Sequence, residues 1–194
     1  MAPEAERRRV LTPFPLDSQV GTLVRLRDVT LADADLYDDL QRSEKSDGGF
    51  NDFGSPYSPV DPQVLAQGPL RAEQKGSMFV ERLEDGQVVG TVGWHKVRHG
   101  GNTESEAWRF GITLIPEARG RGYGTEAQRL VAEFLFRTTP VNRVEASTDI
   151  ENMPEQRSLE KAGFRREGIA RGAQFRAGAY HDLVLFGKLR EDRA

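Results

Sequence analysis

The chain has 194 residues and a formal net charge of −3. It is long enough for one domain with a buried core, and its charge gives no reason to expect nucleic acid as the main partner. Because it contains no cysteine, disulfides, thiolate metal ligands and cysteine nucleophiles are excluded. Its three histidines have no carboxylate at ligand spacing, so we expect no metal site.

The start of the chain carries prolines and the run Arg7–Arg9, which predicts a flexible arm over residues 1–20. A single domain is then expected over residues 21–190. No apolar run approaches the ~20 residues of a membrane helix, and the first residues lack the apolar core of a signal peptide. We therefore expect a soluble, cytoplasmic protein that binds no membrane.

In the first half of the domain, the sequence predicts a strand over residues 22–30 and helices over 31–44 and 62–74. A hairpin over 77–97 and a strand over 106–115 follow. Alternation of apolar and polar residues indicates the strands, and the spacing of Leu36 and Leu40 indicates the first helix. Ser46–Gln63 is rich in Gly, Ser, Pro, Asn and Asp, which predicts a loop. The hairpin contains Asp85-Gly86, a pair that tight primed turns favour.

The second half opens with a helix whose apolar face comprises Ala127, Leu130, Val131, Phe134 and Leu135. Next, the sequence predicts a strand over residues 141–148, a helix over 152–163, and strands over 164–172 and 179–189. The resulting order, β-α-α-β-β-β-α-β-α-β-β, predicts an α/β (α+β) fold. Its first half is too antiparallel for a doubly wound sheet.

The stretch EARGRGYGTEAQ connects a predicted strand to a predicted helix. Gly120, Gly122 and Gly124 leave backbone amides unshielded at the helix start, where amides lack intrahelical partners and the helix dipole adds positive charge. This combination predicts an anion site with phosphate as the usual ligand. Arg119 and Arg121 can add bidentate contacts to phosphate oxygens.

Spacing excludes two common kinds of phosphate loop. The run ends in Gly124-Thr125-Glu126, whereas a Walker loop ends in Gly-Lys-Ser/Thr. A dinucleotide fingerprint would need glycine in place of Thr125. A glycine-rich turn without a ligand is the alternative interpretation.

The run RGRGYG resembles the Arg/Gln-x-x-Gly-x-Gly/Ala pyrophosphate loop of the GNAT superfamily of N-acetyltransferases, through Arg119, Gly122 and Gly124. The stretch TDIENMPEQRSLEKAGF is similar to the family's next strand and helix, and AYHDLVLFGKL to the last strand of its RimJ/RimL-type branch. The resemblance implies a GNAT fold with a mixed sheet of about seven strands, about four helices and a splayed cofactor cleft.

The resemblance also implies acetyl-CoA, or another acyl-CoA, as cofactor. It implies transfer of the acyl group to a primary amine, either a small molecule or a protein N-terminus, and a homodimer is common in the branch. Amides around Ile112 and Leu114 would hold pantetheine, and Asn152 would lie near the same arm. Pyrophosphate would be held by the loop residues Arg119, Gly120, Arg121, Gly122, Tyr123, Gly124 and Thr125, of which Tyr123 is interpreted as packing.

Amine transfer needs a base, because the attacking amine must lose a proton. The RimJ/RimL branch often has a glutamate two residues before the glycine that matches Gly111, but this chain has Arg109 there. Glu106 and His95 are the candidate bases. Glu106 is odd-spaced from Arg109 and faces the other side of an unbroken strand, unless a bulge reverses it. The unperturbed pKa of histidine, near ~6.5, suits His95 to this role.

Several GNAT branches carry a tyrosine as general acid where this chain has Leu159, and Ser158 is the alternative proton donor. Asn152, with Glu155 three residues later, predicts a variant of the capping box. The departures at Arg109 and Leu159 leave open a catalytically impaired acyl-CoA-binding module. The first strand and helix concentrate negative charge that would suit a cationic amine, or would form a solvated face: Asp28, Asp33, Asp35, Asp38 and Asp39.

Overall fold

The computed structural model describes residues 19–42, 49–50 and 58–192. Within them lie seven strands: β1 (Val24–Asp28), β2 (Lys75–Arg82), β3 (Val88–Arg98), β4 (Glu106–Leu114), β5 (Arg143–Asp149), β6 (Arg165–Arg176) and β7 (Ala179–Leu189). The same part of the chain contains four α-helices: α1 (Ala34–Arg42), α2 (Pro62–Ala66), α3 (Tyr123–Thr138) and α4 (Met153–Lys161). The flexible arm expected over residues 1–20 lies outside the described residues, apart from its last two.

The strands form one mixed sheet in the order β1-β2-β3-β4-β5-β7-β6. Neighbouring strands are antiparallel except β4 and β5, which are parallel. The predicted order of elements and the α/β fold class are confirmed. None of the helices that the structure describes has the length and apolar character needed to cross a membrane.

Two local predictions need correction. The helix expected over residues 62–74 ends at Ala66, because Gly68 takes a positive φ of 140° just before Pro69. The β2–β3 connection is longer than a two-residue primed turn, since Arg82 N donates to Gln87 O at 2.8 Å around it. Gly86 still supplies the left-handed residue, with a φ of 72°.

The main core lies between the sheet and the helices α3 and α4. The predicted apolar face of α3 is confirmed, since each of its five residues is at most 2% exposed. A smaller core on the other sheet face joins Val29, Leu65 and Phe79 to Tyr37 of α1. The sheet therefore has one face covered by α3 and another face that α1 covers in part.

A buried carboxylate fixes the start of α3 against the start of β1. Glu126, in the first turn of α3, accepts hydrogen bonds from Thr22 N (2.8 Å), Leu23 N (2.6 Å) and Val24 N (2.8 Å). Burial opposes ionisation of Glu126, but these amide donors hold its pKa below the usual range of glutamate. The carboxylate thus satisfies three amides of the incoming chain and positions the helix that follows the glycine run.

We expect Glu126→Ala to lower the free energy of unfolding by about 3 kcal/mol, because buried amides lose a charged acceptor. Chemical denaturation at pH 7 measures this, with Glu133→Ala as a matched control, since Glu133 pairs with the half-exposed Arg129. Because the folded pKa of Glu126 is lowered, its contribution is present above the usual glutamate pKa and is lost as pH falls through the lowered value. Equal losses in both variants would contradict this role.

Candidate active site

The strands β4 and β5 separate after two residue pairs. Both strands are described along their whole length, and their pairing consists of Trp108↔Val144 and Arg109↔Glu145. β4 continues along β3 as far as the pair Gly90↔Leu114, while β5 continues along β7. The remainder of β4 therefore borders a gap in the sheet, with no strand paired to it on that side. Ile112 and Leu114, the predicted pantetheine residues, lie there and are half-buried.

The carboxylate of Glu145, on β5, binds side chains of neighbouring strands at the last residue pair before β4 and β5 separate. It is 4% exposed and accepts hydrogen bonds from Arg109 Nε (2.9 Å), Arg143 Nε (2.8 Å) and His99 Nε2 (2.8 Å). Burial opposes ionisation, but these donors hold the pKa of Glu145 below its usual range. Arg109, which stands where the sequence resemblance implied a glutamate, is thus an ion-pair partner of β5.

The glycine run forms a loop that ends in a row of amides without intrahelical partners. Gly120 and Gly122 have φ values of 74° and 86°, in the left-handed region that favours glycine. The first backbone bond that belongs to α3 runs from Glu126 N to Gly122 O, at 3.1 Å. The amides of Tyr123, Gly124 and Thr125 precede that bond, so they have no intrahelical partner and lie at the positive end of the helix.

The side chains of the loop occupy different surroundings. Arg119 bends back, and its Nε donates to Leu114 O at 3.0 Å, across the end of β4. Arg121 is exposed. Tyr123 is 8% exposed and belongs to the main core, as its interpretation as a packing residue requires.

The loop, the end of β4 and the helix α4 meet at Gly124. A Cβ added there would lie 3.4 Å from Leu114 Cδ1 and 3.8 Å from Ser158 Oγ. The amides of the loop therefore open beside the gap between β4 and β5. The loop amides are therefore contiguous with the part of β4 that has no strand partner on the β5 side.

On the sheet face opposite α3, a cavity of about 350 Å³ lies between α1 and the strands β2, β3 and β4. Its lining includes Tyr37, Gln41, Ser77, Thr91, His95 and Gly111. Partial burial lowers the pKa of the otherwise exposed His95, and the charge of Arg109 lowers it further, while Glu145 acts in the opposite direction. The imidazole of His95 is therefore mainly neutral at neutral pH and can accept a proton.

The other candidate base, Glu106, lies outside this cavity. The β3–β4 register is continuous from Arg98↔Glu106 to the end of β4, so no bulge reverses its direction. Glu106 shares the face of Trp108 and is bound by Lys96 Nζ (3.1 Å) and Arg98 Nη2 (2.8 Å). Hydrogen bonds from Arg98 and Lys96 hold its pKa below the usual range. We therefore set Glu106 aside as a base.

Only one half of the capping box predicted at α4 forms. Asn152 Oδ1 accepts a long hydrogen bond from Glu155 N at 3.4 Å. Glu155 does not return to the Asn152 amide but accepts from Gln128 Nε2 of α3 at 2.7 Å. Leu159 is fully buried in the main core, and Ser158 lies between α3 and α4.

Three of the five aspartates predicted to form an acidic surface bind neighbouring groups. Asp28 pairs with Arg71 and Asp33 with Arg27, while Asp38 accepts from the amide of Val60. They stabilise the first strand and the helix after it. No cluster of His, Asp and Glu with metal-binding geometry occurs in the ranges that the structure describes.

Residues 24–165 match the family model of the acetyltransferase (GNAT) domain. This match covers more than half of the chain, which therefore belongs to the GNAT acetyltransferase family. The splayed pair of central strands and the glycine loop of the structure are the features that the resemblance implied.

Curated relatives include the probable N-acetyltransferase YjcK of Bacillus subtilis, 33% identical over 123 residues, covering 63% of this chain and 66% of that protein. The SPbeta prophage-derived uncharacterized N-acetyltransferase YokL of the same organism is 36% identical over 114 residues, covering 59% and 62%. The chain thus matches less than two thirds of the length of these relatives.

Among solved structures, Mycobacterium smegmatis RimJ in complex with CoA-disulfide is 25% identical, with a TM-score of 0.66 and coverage of 90% and 88%. The Vibrio cholerae spermidine N-acetyltransferase in complex with CoA and spermine is 18% identical, with a TM-score of 0.72 and coverage of 89% and 98%. Neighbours of both kinds match to a similar extent, so the comparisons assign the family and not the RimJ/RimL-type branch.

Proposed function

We propose that this protein transfers an acetyl group from acetyl-CoA to a primary amine by direct attack of the amine on the thioester. The observation that carries the proposal is the continuity of the glycine loop with the gap between β4 and β5. An anion site that opens onto a free strand edge suits a ligand with a pyrophosphate and an extended amide-containing arm. CoA is such a ligand, and two structural neighbours contain it.

The residues present fit that cofactor. The unpaired amides of Tyr123, Gly124 and Thr125 would hold pyrophosphate oxygens, with Arg119 and Arg121 at the rim of the loop. The free edge of β4 around Ile112 and Leu114 would bind the pantetheine amides as an added strand would. When bound, acetyl-CoA supplies the acyl group and a thiolate leaving group.

The acceptor amine would approach from the cavity on the α1 side. Gly111 connects the two regions, because it lines that cavity and also belongs to the part of β4 that borders the gap. Apart from Gly111 and its chain neighbours, none of the residues that the structure describes comes within 4 Å of a Cβ added at Gly111, so those residues leave room beside this part of β4. The amine, entering from the cavity, and the thioester, held in the gap, would therefore reach each other at Gly111.

His95 is the base that we propose for this reaction. The amine nitrogen forms a bond to the carbonyl carbon, the carbon–sulfur bond breaks, and His95 takes up the proton that the amine loses. His95 lies opposite Arg109 in the β3–β4 register, beside the junction that Glu145 holds. The lowered pKa of His95 keeps the imidazole in the accepting form.

Incubation with acetyl-CoA and a panel of amines tests the proposal, with release of free thiol as the readout. The panel contains peptides with free N-termini, polyamines and amino sugars. We expect release above background for at least one of these classes. Tight CoA binding with no release on any amine would instead favour an acyl-CoA-binding module without catalysis.

With an active acceptor identified, His95→Gln is expected to lower kcat by about 10²–10⁴-fold, the usual contribution of a general base. CoA affinity, measured by calorimetry, should remain unchanged. His99→Gln is the matched control, because a glutamine amide at this half-exposed position can still donate to Glu145, and His99 does not line the cavity. A His95→Gln enzyme with the kcat of the wild type would exclude His95 as the base.

Gly122→Glu should abolish CoA binding, because it places a carboxylate where phosphate would lie. A left-handed φ of 86° also strains any other residue at this position, at a cost of about 1–2 kcal/mol. Gly101→Glu adds the same charge at an open position elsewhere on the surface and should bind CoA normally. Calorimetric CoA affinity that is equal in both variants would remove the loop from the cofactor site.

A further inference from the structure

A chain of four polar side chains connects the glycine loop to the space between α3 and α4. Thr125 Oγ1 lies 2.9 Å from Ser158 Oγ, which lies 3.1 Å from Gln128 Oε1. Gln128 Nε2 in turn lies 2.7 Å from Glu155 Oε1. Gln128 is fully buried and Glu155 is partly buried. The chain begins at the third residue of α3, beside the unpaired amides of the loop.

The ionisation state of Glu155 decides the direction in which this chain donates. An ionised carboxylate only accepts, so Gln128 turns its NH₂ group toward Glu155 and its oxygen toward Ser158. The Ser158 hydroxyl then donates to Gln128 and accepts from Thr125. In this arrangement the proton of the Thr125 hydroxyl is used inside the chain.

A protonated Glu155 permits the reverse arrangement. The Gln128 amide then turns over, so that its oxygen accepts from the Glu155 hydroxyl and its NH₂ group donates to Ser158. Ser158 then donates to Thr125. The proton of the Thr125 hydroxyl is released from the chain and can point toward the loop.

We propose that Glu155 is a positioning residue for the cofactor, whose protonated form reverses the chain and makes the Thr125 hydroxyl a donor to the pyrophosphate at the glycine loop. This inference rests on the proposed function, since it takes the loop to be the CoA site. Glu155 acts through Gln128 and Ser158 and touches no reacting atom.

The surroundings of Glu155 place its titration in the neutral range. Burial raises the pKa of Glu155 to about 7, and the hydrogen bond from Gln128 acts in the opposite direction. No ion pair to Glu155 occurs within the described ranges. The charged residues on or next to α4, on the first half of α3 and the loop before it, and at the first two positions of β6 are exposed or paired elsewhere: Glu151, Arg157, Glu160, Lys161, Arg121, Glu126, Arg129, Arg165 and Arg166.

The sign of the linkage follows from which form binds. If the protonated form holds pyrophosphate better, CoA binds more tightly as pH falls through the pKa of Glu155. Binding then also takes up protons just above that pH, because it raises the pKa of the carboxyl. A purely structural Glu155 would show neither effect.

Calorimetry with CoA, in buffers that differ in ionisation enthalpy and span about pH 6 to 8.5, measures both affinity and proton uptake. CoA phosphate titrates in the same range, so the comparison is between variants at one pH. On binding CoA near pH 7.5, the wild type should take up more protons than Glu155→Gln does. The amide of that variant mimics the protonated carboxyl and does not titrate. At pH 8.5, Glu155→Gln should bind CoA about tenfold more tightly than the wild type, and at pH 6 equally well.

Two further variants separate the chain from simple charge repulsion. Ser158→Ala interrupts the chain while retaining the carboxylate, and should lose the Glu155-dependent proton uptake. Glu160→Gln changes an exposed glutamate of the same helix and should behave as the wild type. Ser158→Ala also carries the test if Glu155→Gln fails to fold.

Proton uptake that persists in Glu155→Gln would overturn the inference. Uptake that persists in Ser158→Ala but is lost in Glu155→Gln would exclude the role of the polar chain. Direct repulsion between the Glu155 carboxylate and the phosphate would then explain the proton uptake. Absence of CoA binding by the wild type at every pH would contradict the proposed function itself. These outcomes are distinguishable, because the first two require that CoA binds.

Discussion

The carboxylate of Glu145 fixes the place where β4 and β5 stop pairing, and the proposed site is built around that place. With Arg109, Arg143 and His99 as donors, it holds β4 and β5 together at the end of their short pairing, beyond which β4 has no strand partner on the β5 side. An unpaired strand edge inside a sheet is costly unless something binds it. The proposed pantetheine arm supplies the missing hydrogen bonds, so one ion-pair cluster both stabilises the sheet and creates the cleft.

The start of α3 is held from two sides, and this positions the glycine loop beside the cleft. Glu126 attaches it to amides at the start of β1, while the polar chain from Thr125 attaches it to α4. The loop itself retains free amides because its glycines adopt left-handed conformations. Rigid attachment on either side of an open loop is the arrangement expected of a preorganised anion site.

Much of this arrangement follows from local sequence signals. The alternating strands, the apolar face of α3 and the glycine run needed only short-range patterns. The face of Glu106 was also predictable, from the odd spacing to Arg109 in an unbroken strand. The role of Glu145 was not, because it depends on a parallel pairing between β4 and β5, far apart in the chain. Likewise, Gln128 and Glu155 become partners only through the packing of α3 against α4.

Hydrogen exchange of backbone amides with and without CoA tests the central claim most directly, because it reports where the cofactor lies. We expect CoA to slow exchange in residues 110–114, where β4 borders the gap, and in residues 120–125 of the glycine loop. Exchange in residues 106–109, which precede the separation of β4 from β5, should remain unchanged. Protection confined to β2 and β3, with residues 110–114 and 120–125 unaffected, would contradict the assignment of the gap and the loop as one cofactor site.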